Sequence, residues 1–214
     1  MKIMKRALFA FVSTLIAAVA PAGAEPVVVE VFASQNCAAC PKAHAYMAAV
    51  MDTHDDVLVM TWSVDYWDYL GAPDPMAIPE AMARQSAYAE RFELRGPYTP
   101  QSVYDGVEQC PGNKLRRVNK AIDRRAADIT SHIVIARADN GGVRVSVAEP
   151  RDLDLSLIHF ADIPDSDMVN PVLLVEALGP WTGGTMTFVP ECAGRCAVIA
   201  QASGYGPIEA AILL

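Results

Sequence analysis

The chain has 214 residues, of which 52% are hydrophobic and 20% charged. That is enough apolar material for one substantial core or two small ones, and it excludes a disordered chain. With 17 basic residues against 25 acidic ones, the formal net charge is −8, and a chain this acidic is a poor partner for nucleic acid or anionic lipid.

Met1 to Ala24 read as a secretory signal. Lys2, Lys5 and Arg6 form a charged start, Ala7 to Ala20 are almost wholly apolar, and Ala22-Gly23-Ala24 offers small residues for cleavage before Glu25. A membrane anchor needs about 20 apolar residues, whereas this run is shorter and meets Pro21 at once. Removing the segment leaves 14 basic residues against 25 acidic, a charge of −11. The mature chain is therefore expected in the periplasm or outside the cell, with no stable membrane insertion. Disulfides persist there, and the five cysteines, Cys37, Cys40, Cys110, Cys192 and Cys196, leave at least one thiol without an internal partner.

Val27 to Phe32 are too short and too β-branched a run for a helix and read as a buried strand with Glu30 as its only charge. After a turn at Ser34–Asn36, apolar positions Cys40, Ala43, Met47, Val50 and Met51 recur at helical spacing, so a helix is expected from about Ala38 to Asp52, with Pro41 in its first turn. Val57 to Val64 form a second buried strand, parallel to the first through a crossover. The loop Asp65 to Leu70 follows, then a helix over Glu80–Phe92, which Gly96-Pro97-Tyr98-Thr99-Pro100 ends.

Gln101–Tyr104, the turn Asp105-Gly106 and Val107–Gln109 read as a short hairpin. Asn113 is placed to cap a last helix with Leu115, Val118, Ile122 and Ala126 on its apolar face. The first half thus reads β-α-β-α-β-β-α. Beyond about Ile129 the period alternates. His132–Ala138 and Val143–Val147 flank an Asn140-Gly141-Gly142 turn, and apolar runs at Leu153–Phe160, Pro171–Leu178, Thr185–Val189, Ala197–Ala202 and Ile208–Leu214 suggest further strands. The expected division is residues 1–24, 25–128 and a β-rich antiparallel section over 129–214, which either packs on the first half or forms a small sandwich.

Cys37 and Cys40 sit where a strand gives way to a helix. At the helix N-terminus the partial positive charge favours a thiolate at an exposed Cys37. Cys40, one turn deeper, is placed to attack the mixed disulfide that Cys37 forms with a substrate. The competing readings are a structural bridge, which over so short a span restrains little of the unfolded chain, and half of a zinc site, for which Cys192, Cys196 and the scattered histidines offer no clean spacing.

The Cys-x-x-Cys-Pro at the first helix and the Thr-Pro before the third strand resemble the thioredoxin fold. More narrowly, Val29 to Cys37, Val64-Asp65-Tyr66-Trp67-Asp68-Tyr69-Leu70-Gly71, Leu94-Arg95-Gly96 and Tyr98-Thr99-Pro100-Gln101 resemble a family of bacterial secreted proteins, DUF1223, strongly from Val29 to Gly106 and faintly after Ile129. The resemblance implies an α/β thioredoxin-like fold with an added C-terminal β-rich section. It also implies that Pro100 is a cis-proline beside the cysteines, with the Thr99 backbone facing the substrate chain. Glu30, with one residue of offset, takes the place of a buried acid that removes the Cys40 proton, the alternative being a strand-end glutamate that reaches solvent. The chain departs from the family's pattern at Ala38-Ala39, at Lys42 and at Ser63, so redox potential and partner choice do not carry over.

Asp65, Tyr66 and Trp67 are candidates to wall a groove beside the thiols, the alternative being that the aromatics, Tyr69 above all, fill core around the loop. Cys192 and Cys196, four residues apart between strand-like runs, suit a structural disulfide closing a hairpin, with a second redox or copper-binding pair as the alternative. Met47, Met51, Met60 and Met82 lie on runs that read as core, Cys110 is the expected unpaired cysteine, and His44, His54, His132 and His159 show no ligand spacing. The function expected is thiol–disulfide exchange with exported protein substrates and a redox partner protein, requiring no cofactor and no metal. The competing class is a non-catalytic binding or assembly protein that uses the disulfide as a staple.

Overall fold

The computed structural model describes residues 25–128, 133–147, 149–164 and 166–214. The expected signal segment Met1–Ala24, and Ile129 and His132 at the change of period, lie outside them.

Strand β1 (Val27–Ala33) leads into helix α1 (Cys40–Thr53), strand β2 (Val57–Ser63), helix α2 (Pro79–Arg91), strands β3 (Gln101–Tyr104) and β4 (Glu108–Pro111), and helix α3 (Leu115–Asp128). The four strands form one sheet in the order β2-β1-β3-β4. β1 runs parallel to β2 and antiparallel to β3, and β3 is antiparallel to β4. Every residue of β1 is buried, as a strand covered on both faces must be. Its alternation sorts two cores: Val27, Val29, Val31 and Ala33 pack with Cys37, Cys40, Met47 and Val50 of the α1 region and Val118, Ala121 and Ile122 of α3, whereas Val28 and Phe32 pack with Ala81 and Tyr88 of α2 on the opposite face.

Leu115 is 38% exposed and Ala126 lies in the open, so the buried stripe of α3 is Val118, Ala121 and Ile122. Asn113 does not cap this helix, its Oδ1 being buried with no hydrogen-bond partner. Cys110 lies on β4 rather than in a loop. It is a buried free thiol beside the Ser102 and Tyr104 hydroxyls.

The C-terminal part is all strand among the described residues: β5 (Ile133–Arg137), β6 (Val143–Val147), β7 (Leu153–Phe160), β8 (Val172–Trp181), β9 (Gly184–Phe188), β10 (Arg195–Ala202) and β11 (Ile208–Leu213). They build a four-stranded sheet β11-β10-β7-β8 and a three-stranded sheet β5-β6-β9. Alternation along β7 and β10 again separates two cores. Leu153, Leu155, Leu157, Cys196 and Val198 face the three-stranded sheet, whereas Ile158, Phe160, Ala197 and Ile199 face the core of α2 and Phe32. The two sheets therefore form a sandwich whose larger sheet also packs on the first half.

Two polar joints fix that contact. The outer edge of β2 is closed by residues 169–171, where Thr61 N donates to Asn170 O at 3.0 Å and Asn170 Nδ2 to Val59 O at 2.8 Å, which leaves no open edge there for foreign pairing. The Asp105-Gly106 turn supplies the second. Ile208 N donates to Asp105 O at 2.7 Å, and Gly106, at φ +64°, lies so close that a β-carbon on it would sit 2.5 Å from Gly206 O. Both reasons demand glycine there.

Candidate functional site

Two consecutive turns carry the chain from β1 into α1. Cys37 N donates to Ser34 O at 3.1 Å and Cys40 N to Cys37 O at 3.0 Å, and Cys37 and Cys40 are disulfide-bonded with their Cα atoms 5.4 Å apart. Cys40, not Cys37, is the first residue of the helix. Ala38 and Ala39 are exposed, but Cys37 is only 4% exposed and Cys40 1%, so the expectation of an exposed Cys37 is corrected.

The cause is the loop after β2, which folds back over the cysteine turn. Asn36 Nδ2 donates to Ala72 O at 2.9 Å and to Asp68 Oδ1 at 3.3 Å, and Gln35 N donates to Asp74 Oδ2 at 2.7 Å. Asp74, itself buried, also accepts from Ser63 Oγ at 2.7 Å. Trp67 packs half-buried against the cluster that contains both cysteines. Its Nε1 donates to Thr99 Oγ1 at 2.7 Å, so Trp67 and Thr99 form one wall. Tyr66 is half-buried beside Trp67, with ring centroids 5.9 Å apart, and burial raises its hydroxyl pKa above the ordinary value. Asp65 is exposed. Tyr69 is corrected: it is 76% exposed and stacks on Trp67 at 6.1 Å rather than filling the core.

The Thr99–Pro100 bond is cis, as the resemblance implied. Gln85 of α2 holds the approach to it, donating from Nε2 to Tyr98 O at 2.8 Å and to Gln101 Oε1 at 3.0 Å. A β-carbon placed on Gly112 would lie 3.4 Å from Ala43 Cβ and 3.6 Å from Pro100 Cβ, so Gly112 sits between α1 and Pro100.

Glu30 is not behind Cys40. One residue of offset in a strand moves a side chain to the other face of the sheet. Glu30 points with Val28 and Phe32 into the α2 core, where it is fully buried, takes Arg84 Nε at 2.5 Å and Nη2 at 3.1 Å, and accepts from Tyr88 Oη at 2.6 Å. Neither the proton-acceptor role nor the solvent-reaching alternative survives this placement.

A titratable group that lines a cavity together with Cys40 is His44. It stands four residues after Cys40 on α1, a spacing that brings side chains together on a helix, and it is 5% exposed with Nδ1 unpaired. Burial lowers its pKa to about 4, more than the Asp167 and Asp74 carboxylates raise it, so it is neutral. Cys40 and His44 line a cavity of about 220 Å3 together with Ser34, Gln35 and residues 166–168. The i, i+4 spacing from Cys40 was visible in the sequence; the closure of the cavity by residues 166–168 was not.

Cys192 and Cys196 are disulfide-bonded, as expected. Cys196 also lies against His159, a neighbour that no local pattern announces because it comes from a strand paired across the sheet. Among the described residues no group of three or more His, Cys, Asp and Glu side chains is placed to hold a metal ion, and no helix is long and apolar enough to cross a membrane.

A mixed α/β chain with a Cys-x-x-Cys disulfide at the β1–α1 junction and a β-rich C-terminal part thus defines the class. Residues 28–169 match the family described as "Protein of unknown function (DUF1223)", and the chain belongs to that family. A protein from Agrobacterium tumefaciens, solved by X-ray crystallography as a structural-genomics target, is similar in structure. It has a TM-score of 0.73 and 29% identity over 88% of this chain and 93% of that one. No curated protein matches.

Proposed function

We propose that the chain is an exported, thioredoxin-like thiol–disulfide oxidoreductase that acts on protein thiols through Cys37 and Cys40. The observation that carries the reading is the Cys37–Cys40 disulfide at the start of α1, with Cys40 lining a cavity beside a neutral His44 whose Nδ1 has no partner. The strand order β2-β1-β3-β4, with the disulfide at the β1–α1 junction, supports the thioredoxin-like part. The lysine-led apolar segment ending at Ala24 supports export to the periplasm or beyond.

In the reduced chain the Cys37 thiolate attacks one sulfur of a substrate disulfide, breaking that bond and releasing the other substrate sulfur as a thiolate. Cys40 then attacks the Cys37 sulfur of the mixed disulfide, expelling the second substrate sulfur as a thiolate and closing the Cys37–Cys40 bond. The Cys40 proton needs an acceptor, and His44 takes the place that the sequence suggested for Glu30. With the disulfide closed its imidazole is neutral, and a thiolate at Cys40 raises its proton affinity by direct attraction. The proton then passes to the departing thiolate. Trp67, Tyr66, Asp65, Thr99 and Pro100 form the surface that receives the client chain, with a second protein resetting the pair.

The near-complete burial of both cysteines favours one competing reading, in which the bond is only a staple. Single substitutions separate the two. Under exchange, Cys40→Ser accumulates a client or glutathione linked to Cys37, visible as a mass increase that dithiothreitol removes, and Cys37→Ser does so far less. If neither variant takes up a thiol while both lose equal stability, the staple stands and the exchange reading is abandoned.

A further inference from the structure

The second disulfide has an environment of its own. Cys192 and Cys196 bracket the turn into β10, with Cys196 fully buried and Cys192 half-exposed. In the β7–β10 register Cys196 stands directly opposite His159, and the two side chains meet at 3.4 Å between Sγ and Nδ1. The other ring nitrogen, Nε2, lies 2.6 Å from Glu176 Oε1 on β8. Around Cys196 the side chains of the facing sheet, Ile133, Ile135, Val143 and Val145, are apolar. Arg195, next in the chain, is turned away to Asp162 and Asn170. His159, with Glu176 behind it, is thus the ionisable group set against this sulfur. Glu176 also lines a cavity of about 280 Å3, whose other walls include Leu178, Met186, Phe188 and Val189 and which ends at Glu191, the neighbour of Cys192.

We propose that Cys192–Cys196 is a second thiol-exchange site, in which Cys196 is the leaving sulfur held by His159 and Glu176, and whose substrate is a protein cysteine flanked by an apolar side chain that occupies this cavity. A substrate thiol loses its proton and attacks the sulfur of Cys192, the less buried of the two cysteines. The new bond joins substrate to Cys192 while the Cys192–Cys196 bond breaks, and Cys196 departs with the electron pair as a thiolate. The proton lost by the substrate is matched by one held on His159, so that thiolate and imidazolium face each other, with the Glu176 carboxylate stabilising the imidazolium from the far side. A second thiol attacking the substrate sulfur completes the two-electron transfer: two thiols become a disulfide, and Cys192 and Cys196 become thiols. An ordinary buried thiol titrates upward from about 8.5, so leaving ability at Cys196 depends on this pairing. The site works without Cys37 and Cys40.

The test uses the full chain carrying Cys37→Ser, Cys40→Ser and Cys110→Ala, in which Cys192–Cys196 is the only disulfide. Incubated with reduced glutathione at pH 7, the folded protein is expected to form a glutathione adduct on Cys192. His159→Gln is expected to slow that reaction on the order of tenfold, and Glu176→Gln, a change at an exposed position, to slow it in the same direction. A second measurement adds Cys192→Ser and follows the Cys196 thiolate by its absorbance near 240 nm. Its titration is expected below the ordinary thiol value, with His159→Gln returning it to or above that value. A disulfide that stays closed to glutathione while the protein is folded, or a rate and a titration that neither substitution moves, overturns the proposal, whatever becomes of the exchange at Cys37 and Cys40.

Discussion

Arg84→Met is expected to cost about 3–5 kcal/mol of folding stability, the range for breaking a buried ion pair from one side. The guanidinium is buried between the two halves, bidentate on Glu30, within 3.1 Å of Tyr88 Oη, and over the rings of Trp62 at 4.9 Å and Tyr205 at 5.4 Å. Burial works against its charge, yet Glu30 beside it holds its pKa above the ordinary value. Removing it leaves the Glu30 carboxylate at zero exposure with Tyr88 alone as donor. Tyr88 in turn accepts from Gln201 Nε2 at 2.9 Å, so the loss reaches β10. Replacing both partners, Glu30→Leu with Arg84→Met, is expected to recover most of the loss, because an apolar pair of similar volume carries no desolvation cost. Urea unfolding of the wild type and the two variants measures this. A single-variant loss under about 1 kcal/mol, the range of a surface pair, would show that the network does not bind the halves together.

That network also marks where the sequence stops being legible. The strands, the three helices and the Cys-x-x-Cys turn follow from period and composition, because each is decided by residues close in the chain. The facing of Glu30 also follows from the alternation of β1, since Val29 and Val31 share the cysteine face and position 30 cannot. Analogy by position overrode that alternation and placed the acid on the wrong face. Arg84, Gln201 and Tyr205, which make sense of a buried glutamate, lie on α2, on β10 and at the β10–β11 turn, at separations that no local pattern spans. The same holds for His159 opposite Cys196. Cys37 is buried because Asn36 and Trp67 tie the loop after β2 over it, and nothing in the Asp65–Leu70 run by itself fixes the direction in which that loop folds.

The pH dependence of stability provides a check on His44 that does not require a substrate. In the unfolded chain its imidazole takes a proton near pH 6.5, but in the folded, disulfide-bonded chain only near pH 4. Between those values the unfolded state binds more protons than the folded state, so stability rises with pH across the window and is lost as pH falls through it. The full difference, at a side chain that is almost wholly buried, is worth about 3 kcal/mol and is complete by about pH 4. His44→Gln, which cannot take the proton, is expected to flatten the fall between pH 6.5 and 4 while other acid-sensitive groups, such as the carboxylates, keep their share. Reduction of Cys37–Cys40 adds a sharper expectation. A thiolate at Cys40 raises the proton affinity of His44, so its imidazole resonances should titrate at higher pH in the reduced protein than in the oxidised one. Identical titration in both states would separate His44 from the sulfur and leave Cys40 without a proton acceptor on its own helix.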